Sequence, residues 1–341
     1  MKGREGQRPV SIKDIARAVG VSHPTVSRAL HGSPLVAPET AAQIRKTAEE
    51  MGYKASLVAR SLVTRKTQTI GLVVTTIADP FYGEIVSGAE EVAAAKGYSV
   101  ILANCQIDPE REVRVVRSLQ ERRVDGILVA ASRVGGLYLS LMSEMGVPIV
   151  LINNQHDGEF MYSVSIDDMG GARKATNHLI ELGHQRIAYL GDPFGCQTDV
   201  HRFEGYKVAL AHAGVPIRPE FVVEADGLPS GGLAATHKLL SLAEPPTAIF
   251  CYNDMTLLGA LRAAAERGLS VPRDVSLVGF DDLFFAPYIQ PPITTLRQPK
   301  REMGRRAIEL LFALLNDEQS EKKIQVEGEL VIRSSTAPPR A

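Results

Sequence analysis

VSHPTVSRAL at residues 21–30 follows IKDIARAV at 12–19 and a single glycine at 20. The spacing predicts two short helices. Ser11 can cap the first, with Asp14 three residues on as in a capping box. Ile15, Ala16 and Val19 then share one face, and Gly20 suits a left-handed helix end. Ser22 can cap the second helix, and Pro24 falls in its first turn, where no backbone N–H is required. Val26, Ala29 and Leu30 lie on one side of that helix, with Val21 beside them. His23, Pro24, Ser27 and Arg28 lie on another. An apolar seam under a polar, partly basic face is the layout of a helix-turn-helix, whose second helix enters the DNA major groove. The alternative on these residues alone is an αα-hairpin that only packs.

In such a head Ser22 and Thr25 are candidate phosphate contacts. His23, Pro24, Ser27 and Arg28 are candidate base readers. Arg can hold a guanine through two hydrogen bonds. Pro24 has no donor, so it offers only shape or a contact with a thymine methyl. His23 either donates to a base acceptor or lies in solvent.

The charge distribution points the same way. Residues 1–66 hold 12 Lys and Arg against 5 Asp and Glu, and the rest of the chain holds 26 against 34. A basic head on an acidic body suits a head that sits on phosphates and a body that stays off them. A merely solvated basic surface would give the same count. The 341 residues allow two or three domains, each with its own core. No apolar run approaches the ~20 residues of a membrane span. The opening MKGREGQRPV has no apolar stretch of the secretory kind, so a cytoplasmic protein with a disordered first few residues is expected. Cys105, Cys196 and Cys251 are far apart and lack CxxC spacing, as reduced thiols would. The chain has no GxGxxG, P-loop, HExxH or GxSxG. No catalytic residue, metal site or cofactor is therefore expected.

Beyond residue 30, His31-Gly32-Ser33-Pro34 reads as a loop. A third helix is expected from about Pro38 to Met51, with Ala41, Ile44, Ala48 and Met51 as its buried stripe, and Tyr53 closing the head. From Thr69 strands and helices alternate. Strands are expected at 70–74, 100–103, 126–129, 149–152, 187–190, 248–251 and 275–279. Helices are expected at 83–95, 110–122, 170–182, 202–213, 231–242 and 255–267. Near-continuous apolar strands separated by helices imply parallel sheets covered on both faces.

SIKDIARAVGVSHPTVSRAL (11–30) resembles the opening of the lactose-repressor (LacI) family of bacterial transcription regulators. The resemblance continues in order through VAPETAAQIRKTAEEMGY (36–53), VARSL (58–62), TIGLVV (69–74), DPFYGEIVSGAE (79–90) and HLIELGHQRIAYLG (178–191). RFEGY (202–206), FCYNDMTLLGAL (250–261) and VSLVGFDD (275–282) complete it. It implies an all-α helix-turn-helix head over 1–54 and a hinge over 55–66. It also implies an α/β effector body of two doubly wound parallel-sheet subdomains, like a periplasmic binding protein. The first subdomain is expected over 67–166 plus 296–326, the second over 167–295 plus 327–341. The chain should cross between them near Ile166-Asp167, Thr295-Leu296 and Glu327.

In the family the hinge folds on DNA into a helix that enters the minor groove, which assigns DNA contacts to Ala59 and Leu62, with Leu62 as the wedge. A plain flexible linker is the alternative. The family commonly has Pro-Asn where Ala55-Ser56 stands, and Ser or Thr where Ala37 stands. The first change raises the cost of ordering the hinge. The second removes a helix cap worth ~1 kcal/mol. The lactose repressor itself has a C-terminal tetramerisation helix, whereas VIRSSTAPPRA carries no apolar heptad, so a homodimer is expected.

Five positions stand out for the cleft: Phe81, Asn153, Arg202, Asn253 and Asp281. Most follow parallel strands at the end where open α/β sheets place ligands. Amide, guanidinium and carboxylate groups can hold adjacent hydroxyls, and an aromatic can cover an apolar ring face. That chemistry fits a carbohydrate effector, although a nucleobase or a carboxylate-bearing molecule could use the same groups. Helix capping is the competing role for Asn153 and Asn253, and a structural Arg202–Asp281 bridge for the charged pair. The reading is a ligand-controlled repressor of double-stranded operator DNA. An exported sugar-binding protein would share the body but lack the basic head, and an enzyme would need a nucleophile or cofactor motif.

Overall fold

The structure is a computed structural model that describes residues 10–30, 32–53, 66–154, 162–192 and 197–340. Ala59 and Leu62, together with Ala55, Ser56 and Cys196, lie outside the described residues. The chain divides into two units, residues 1–67 and 68–341.

In the first unit, α1 (Ile12–Val19), α2 (His23–Leu30) and α3 (Pro38–Glu50) pack around Ile15, Val26, Ala29, Ala41, Ile44 and Ala48. Val21, Leu30, Met51 and Tyr53 close this small core. The Asp14 carboxylate accepts the Ser11 backbone N–H at 2.9 Å and the Ser11 hydroxyl at 2.6 Å, which fixes the start of α1. Gly20 ends it at φ 73°, a conformation costly for any residue with a Cβ. Ala37 supplies no side-chain cap to α3.

The described residues of the second unit form two six-stranded sheets. The first contains β1 (Thr69–Val74), β2 (Ser99–Asn104), β3 (Gly126–Ala130), β4 (Ile149–Ile152), β5 (Ser163–Ile166) and β11 (Lys323–Val326), in the order β11-β5-β4-β3-β1-β2 and parallel throughout. The second contains β6 (Ile187–Gly191), β7 (Val222–Glu224), β8 (Ala248–Cys251), β9 (Ser276–Asp281), β10 (Thr294–Arg297) and β12 (Glu329–Val331), in the order β12-β10-β9-β8-β6-β7. Among these described strands only β12 runs antiparallel to its neighbour. Strands β3, β4, β6, β8 and β9 are buried at every position, as their apolar runs require. Connections in the first lobe include α4 (Pro80–Ala95), α5 (Pro109–Glu121) and α6 (Tyr138–Met145). Those in the second include α7 (Asp168–Glu181), α8 (Gln197–His212), α9 (Pro229–Leu239) and α10 (Asp254–Glu266).

The chain passes from the first sheet to the second between β5 and α7, back between β10 and α11 (Lys300–Leu315), and across again between β11 and β12. Leu296 and Arg297, expected beyond the second crossing, stay in the second sheet, paired with Phe280 and Asp281. The reason is that the ladder continues to the end of β9 before the chain turns at Pro299. Helix α11 is absent from the sequence-based expectations. It returns to the first lobe and packs along α4 so closely that a Cβ on Gly88 would meet the Arg301 carbonyl, and one on Gly304 the Ile85 carbonyl.

Candidate functional site

On the head, burial separates the two faces of α2. Val26 and Ala29 are buried, while His23, Pro24 and Arg28 are exposed beside exposed Ser22. Thr25 and Ser27 are half-buried. The Thr25 N–H donates to the Ser22 hydroxyl at 3.3 Å, and the two hydroxyls lie 2.8 Å apart. Ser22 thus caps the helix, and its hydroxyl and that of Thr25 are already mutually engaged.

In the body, both sheets reverse direction beside their first strand: β1 pairs with β2 and β3, and β6 with β7 and β8. Such switch points open crevices at the carboxyl ends of strands. One pocket there is lined by all five cleft candidates, Phe81, Asn153, Arg202, Asn253 and Asp281, together with Asp79, Tyr82, Ala131, Thr198, Tyr252 and Gln298.

The five do not serve alike. Phe81 is 8% exposed and belongs mainly to the core, edge-on to Tyr82. Asp79 caps α4 by accepting the Phe81 N–H at 2.9 Å. Asn253 caps α10, accepting the Thr256 N–H at 2.8 Å, and donates to the Gly227 carbonyl at 3.0 Å. Asn153 sits at φ 47°, accepts the Ile166 N–H and donates to Gln298 Oε1, both at 3.3 Å. Gln298 in turn donates to Asp281 Oδ1 at 2.7 Å. A chain of amides therefore joins Asn153 on the first lobe to Asp281 on the second.

Arg202 does not bridge to Asp281. Its Nε donates to Asp168 Oδ1 at 2.8 Å and its Nη1 to the Tyr252 carbonyl at 2.7 Å. The guanidinium lies 3.7 Å from the Phe280 ring centroid and 4.7 Å from that of Tyr252. Burial works against its charge, but Asp168, Tyr252 and Asp281 together outweigh this and keep it protonated. Burial likewise pushes the Asp168 carboxyl up while the guanidinium pulls it back.

Asp281 is 6% exposed and held at φ 117°. Burial pushes its carboxyl well above the ordinary range against the pull of Arg202, and neighbouring Asp254 and Asp79 add to the rise. Lys300, itself buried, donates to the Asp281 carbonyl at 2.6 Å and the Asp282 carbonyl at 2.9 Å, and reaches Glu84 of α4 at 3.3 Å. The carbonyls that end β9 are thereby tied to the first lobe.

Several lining residues carry no mark in the sequence that singles them out. Thr198 lies four residues before Arg202 on α8, hence on its face, with its hydroxyl 2.7 Å from that of Tyr252. Tyr82 stands inside the DPFY stretch. Gln298 and Lys300 have no local signal, because the chain crossing alone brings them in. Among the described residues no group of His, Cys, Asp and Glu could hold a metal ion.

Comparison with known proteins places these features together. A model for bacterial regulatory proteins of the lacI family matches residues 11–56, and one for a periplasmic binding protein-like domain matches residues 176–336. The HTH-type transcriptional repressor PurR of Photobacterium profundum is 33% identical over 327 residues, covering 95% of this chain and 98% of that protein. The structure of the transcriptional regulator CelR–cellobiose complex shares 33% identity, covers 96% of this chain and 100% of the other, and has a TM-score of 0.73. The lac repressor dimer bound to operator and the anti-inducer ONPF shares 27% identity, covers 97% and 100%, and has a TM-score of 0.88.

Proposed function

Because the chain belongs to the LacI family of bacterial regulatory proteins and is a DNA-binding transcriptional repressor, we propose that it holds a pseudo-palindromic operator as a homodimer and answers to a carbohydrate bound between its lobes. The base-reading residues are Arg28, His23, Pro24 and Ser27, with Ser22 and Thr25 at the backbone and Ala59 and Leu62 in the minor groove. Its place of work is the cytoplasm, where the DNA is. No helix of the described residues is long and apolar enough to cross a membrane. Effector binding changes the pose of the two lobes, and with it the spacing of the heads and the ordering of the hinge.

The observation that carries the effector class is the set of hydrogen-bonding groups in the lining. Asp79, Asp281, Asn153, Asn253 and Gln298 face the pocket, and the lining cation Arg202 is already paired with Asp168. Carboxyl and amide groups suit a neutral molecule rich in hydroxyls. A carboxylate-bearing effector would find Arg202 already engaged by Asp168. The solved CelR complex with cellobiose supports the same class. Likeness to a repressor named PurR, with the rings of Tyr82 and Tyr252 at the pocket, supports a nucleobase as the second reading.

A thermal-shift screen over glucose, ribose, cellobiose, maltose, adenine, guanine and hypoxanthine decides between them. A ligand at a hundredfold its Kd stabilises the folded state by about 2.7 kcal/mol. A rise in melting temperature with a sugar and none with the bases supports the carbohydrate reading. A rise with a base alone overturns it.

A further inference from the structure

The pocket around Asp281 is only about 60 Å³. At the space a single water requires, that is room for roughly four waters, not for a sugar ring. Beside it lies a chamber of about 640 Å³ that shares Asp79, Tyr82, Ala131, Tyr252 and Asn253 with it. Beyond those shared residues the chamber is walled by Ile107 and Arg133 from the first lobe and by Asp192, Asp226 and Leu228 from the second.

The rim of this chamber is built rather than loose. The Glu112 carboxylate, 2% exposed, accepts the Arg133 backbone N–H at 3.2 Å, the Ser132 hydroxyl at 2.5 Å and the Tyr138 hydroxyl at 2.7 Å. Opposite, Asp226 at φ 75° accepts the Leu228 N–H at 3.0 Å, and Asn253 holds the Gly227 carbonyl. The Asp192 N–H is held by Asp199 at 3.0 Å. Yet Ile107 and Leu228 are 41% and 49% exposed, so both lobes present uncovered apolar surface at the chamber they wall.

We propose that the effector is a two-ring carbohydrate, a disaccharide or a glycoside with a ring-sized aglycone, whose outer ring occupies this chamber. This rests on the carbohydrate reading above. The inner pocket takes one hydroxylated edge of the first ring. The second ring covers Ile107 and Leu228 with its apolar face and turns its hydroxyls to Arg133, Asp192 and Asp226. Alternating apolar and hydroxylated faces are what a pyranose presents, and a fixed rim lowers the cost of ordering the site on binding.

Calorimetry on the full-length protein with glucose, cellobiose, maltose, methyl glucoside, adenine and guanine tests it, beside the variants Leu228→Trp and Ile107→Ser. Both positions are exposed, so the fold tolerates either change. The expected result is that one disaccharide binds at least tenfold tighter than either single-ring sugar. Leu228→Trp, which narrows the chamber, and Ile107→Ser should each weaken the disaccharide at least tenfold more than they weaken glucose. Equal affinity for one and two rings, or a disaccharide affinity untouched by Leu228→Trp, overturns the two-ring proposal while the carbohydrate reading stands. Binding of adenine or guanine with no sugar bound overturns both.

Discussion

Arg28 projects from the exposed face of α2 while the neighbouring Ala29 is buried, so its role on DNA can be isolated from its role in folding. Arg28→Ala should leave the melting temperature within a degree or two and lower specific operator affinity by ~1–3 kcal/mol, with nonspecific affinity nearly unchanged. Gel shifts on operator and scrambled duplexes check this, and an unchanged ratio would remove Arg28 from base reading. Arg202 is the opposite case. Its buried pairing with Asp168 means that Arg202→Ala leaves an unpaired carboxylate, a loss of ~3–5 kcal/mol. A failure to respond to effector in that variant has to be read beside its denaturation curve. Asp254 gives a pH signature. It is fully buried, accepting the Thr295 hydroxyl at 2.6 Å and the Leu283 N–H at 2.8 Å, and burial pushes its carboxyl up to about 7. An acid raised above its unfolded value favours the fold while protonated. Its contribution is complete below about pH 4 and is lost as the pH rises through 7, by at most ~1.4 kcal/mol per pH unit. Asp254→Asn keeps an acceptor for Leu283, and should flatten the fall in urea midpoint between pH 5 and 8. An equally steep fall in the variant would place the titration elsewhere.

At the level of elements, the close crossing of α4 and α11 is the most sharply constrained contact. Gly88→Val or Gly304→Val has nowhere to put its side chain, and overpacking of this kind costs ~1–3 kcal/mol or more. Thermal melts should show the loss, and a Val variant as stable as the parent would mean that the helices cross more loosely. The hinge is the other element with a direct test. Leu62→Ala should weaken operator binding and reduce the bend seen by circular-permutation gel shifts, since an apolar wedge kinks the duplex where it enters. An unchanged bend excludes the wedge. The three head helices and the alternating strands and helices of the body are legible in the sequence because burial writes a period along each of them. The start of α1 is legible because Ser11 and Asp14 stand at capping distance. Helix α11 escapes a reading of the sequence although Met303, Ala307, Ile308 and Leu311 recur at helical spacing. It follows a crossing strand, where simple alternation of strand and helix within one lobe no longer guides the eye.

For the whole molecule, the two-lobe layout explains both how the cleft could be anticipated and where anticipation stopped. Phe81, Asn153, Arg202, Asn253 and Asp281 line one pocket because strand ends in doubly wound sheets converge. Which charge meets which is not readable from the residues. Asp168, the partner of Arg202, opens α7 just after the first crossing, and Gln298 and Lys300 reach Asp281 only because the second crossing follows Arg297. The most direct test titrates operator DNA by fluorescence anisotropy with and without the sugar that stabilises the protein, for the parent and for Asp281→Asn. The parent should change operator affinity about 5–150-fold on adding the sugar, a coupling of ~1–3 kcal/mol. Asp281→Asn should bind operator with parental affinity and show no response. An operator affinity in the parent that is indifferent to a sugar shown to bind, or a full response in Asp281→Asn, would contradict it.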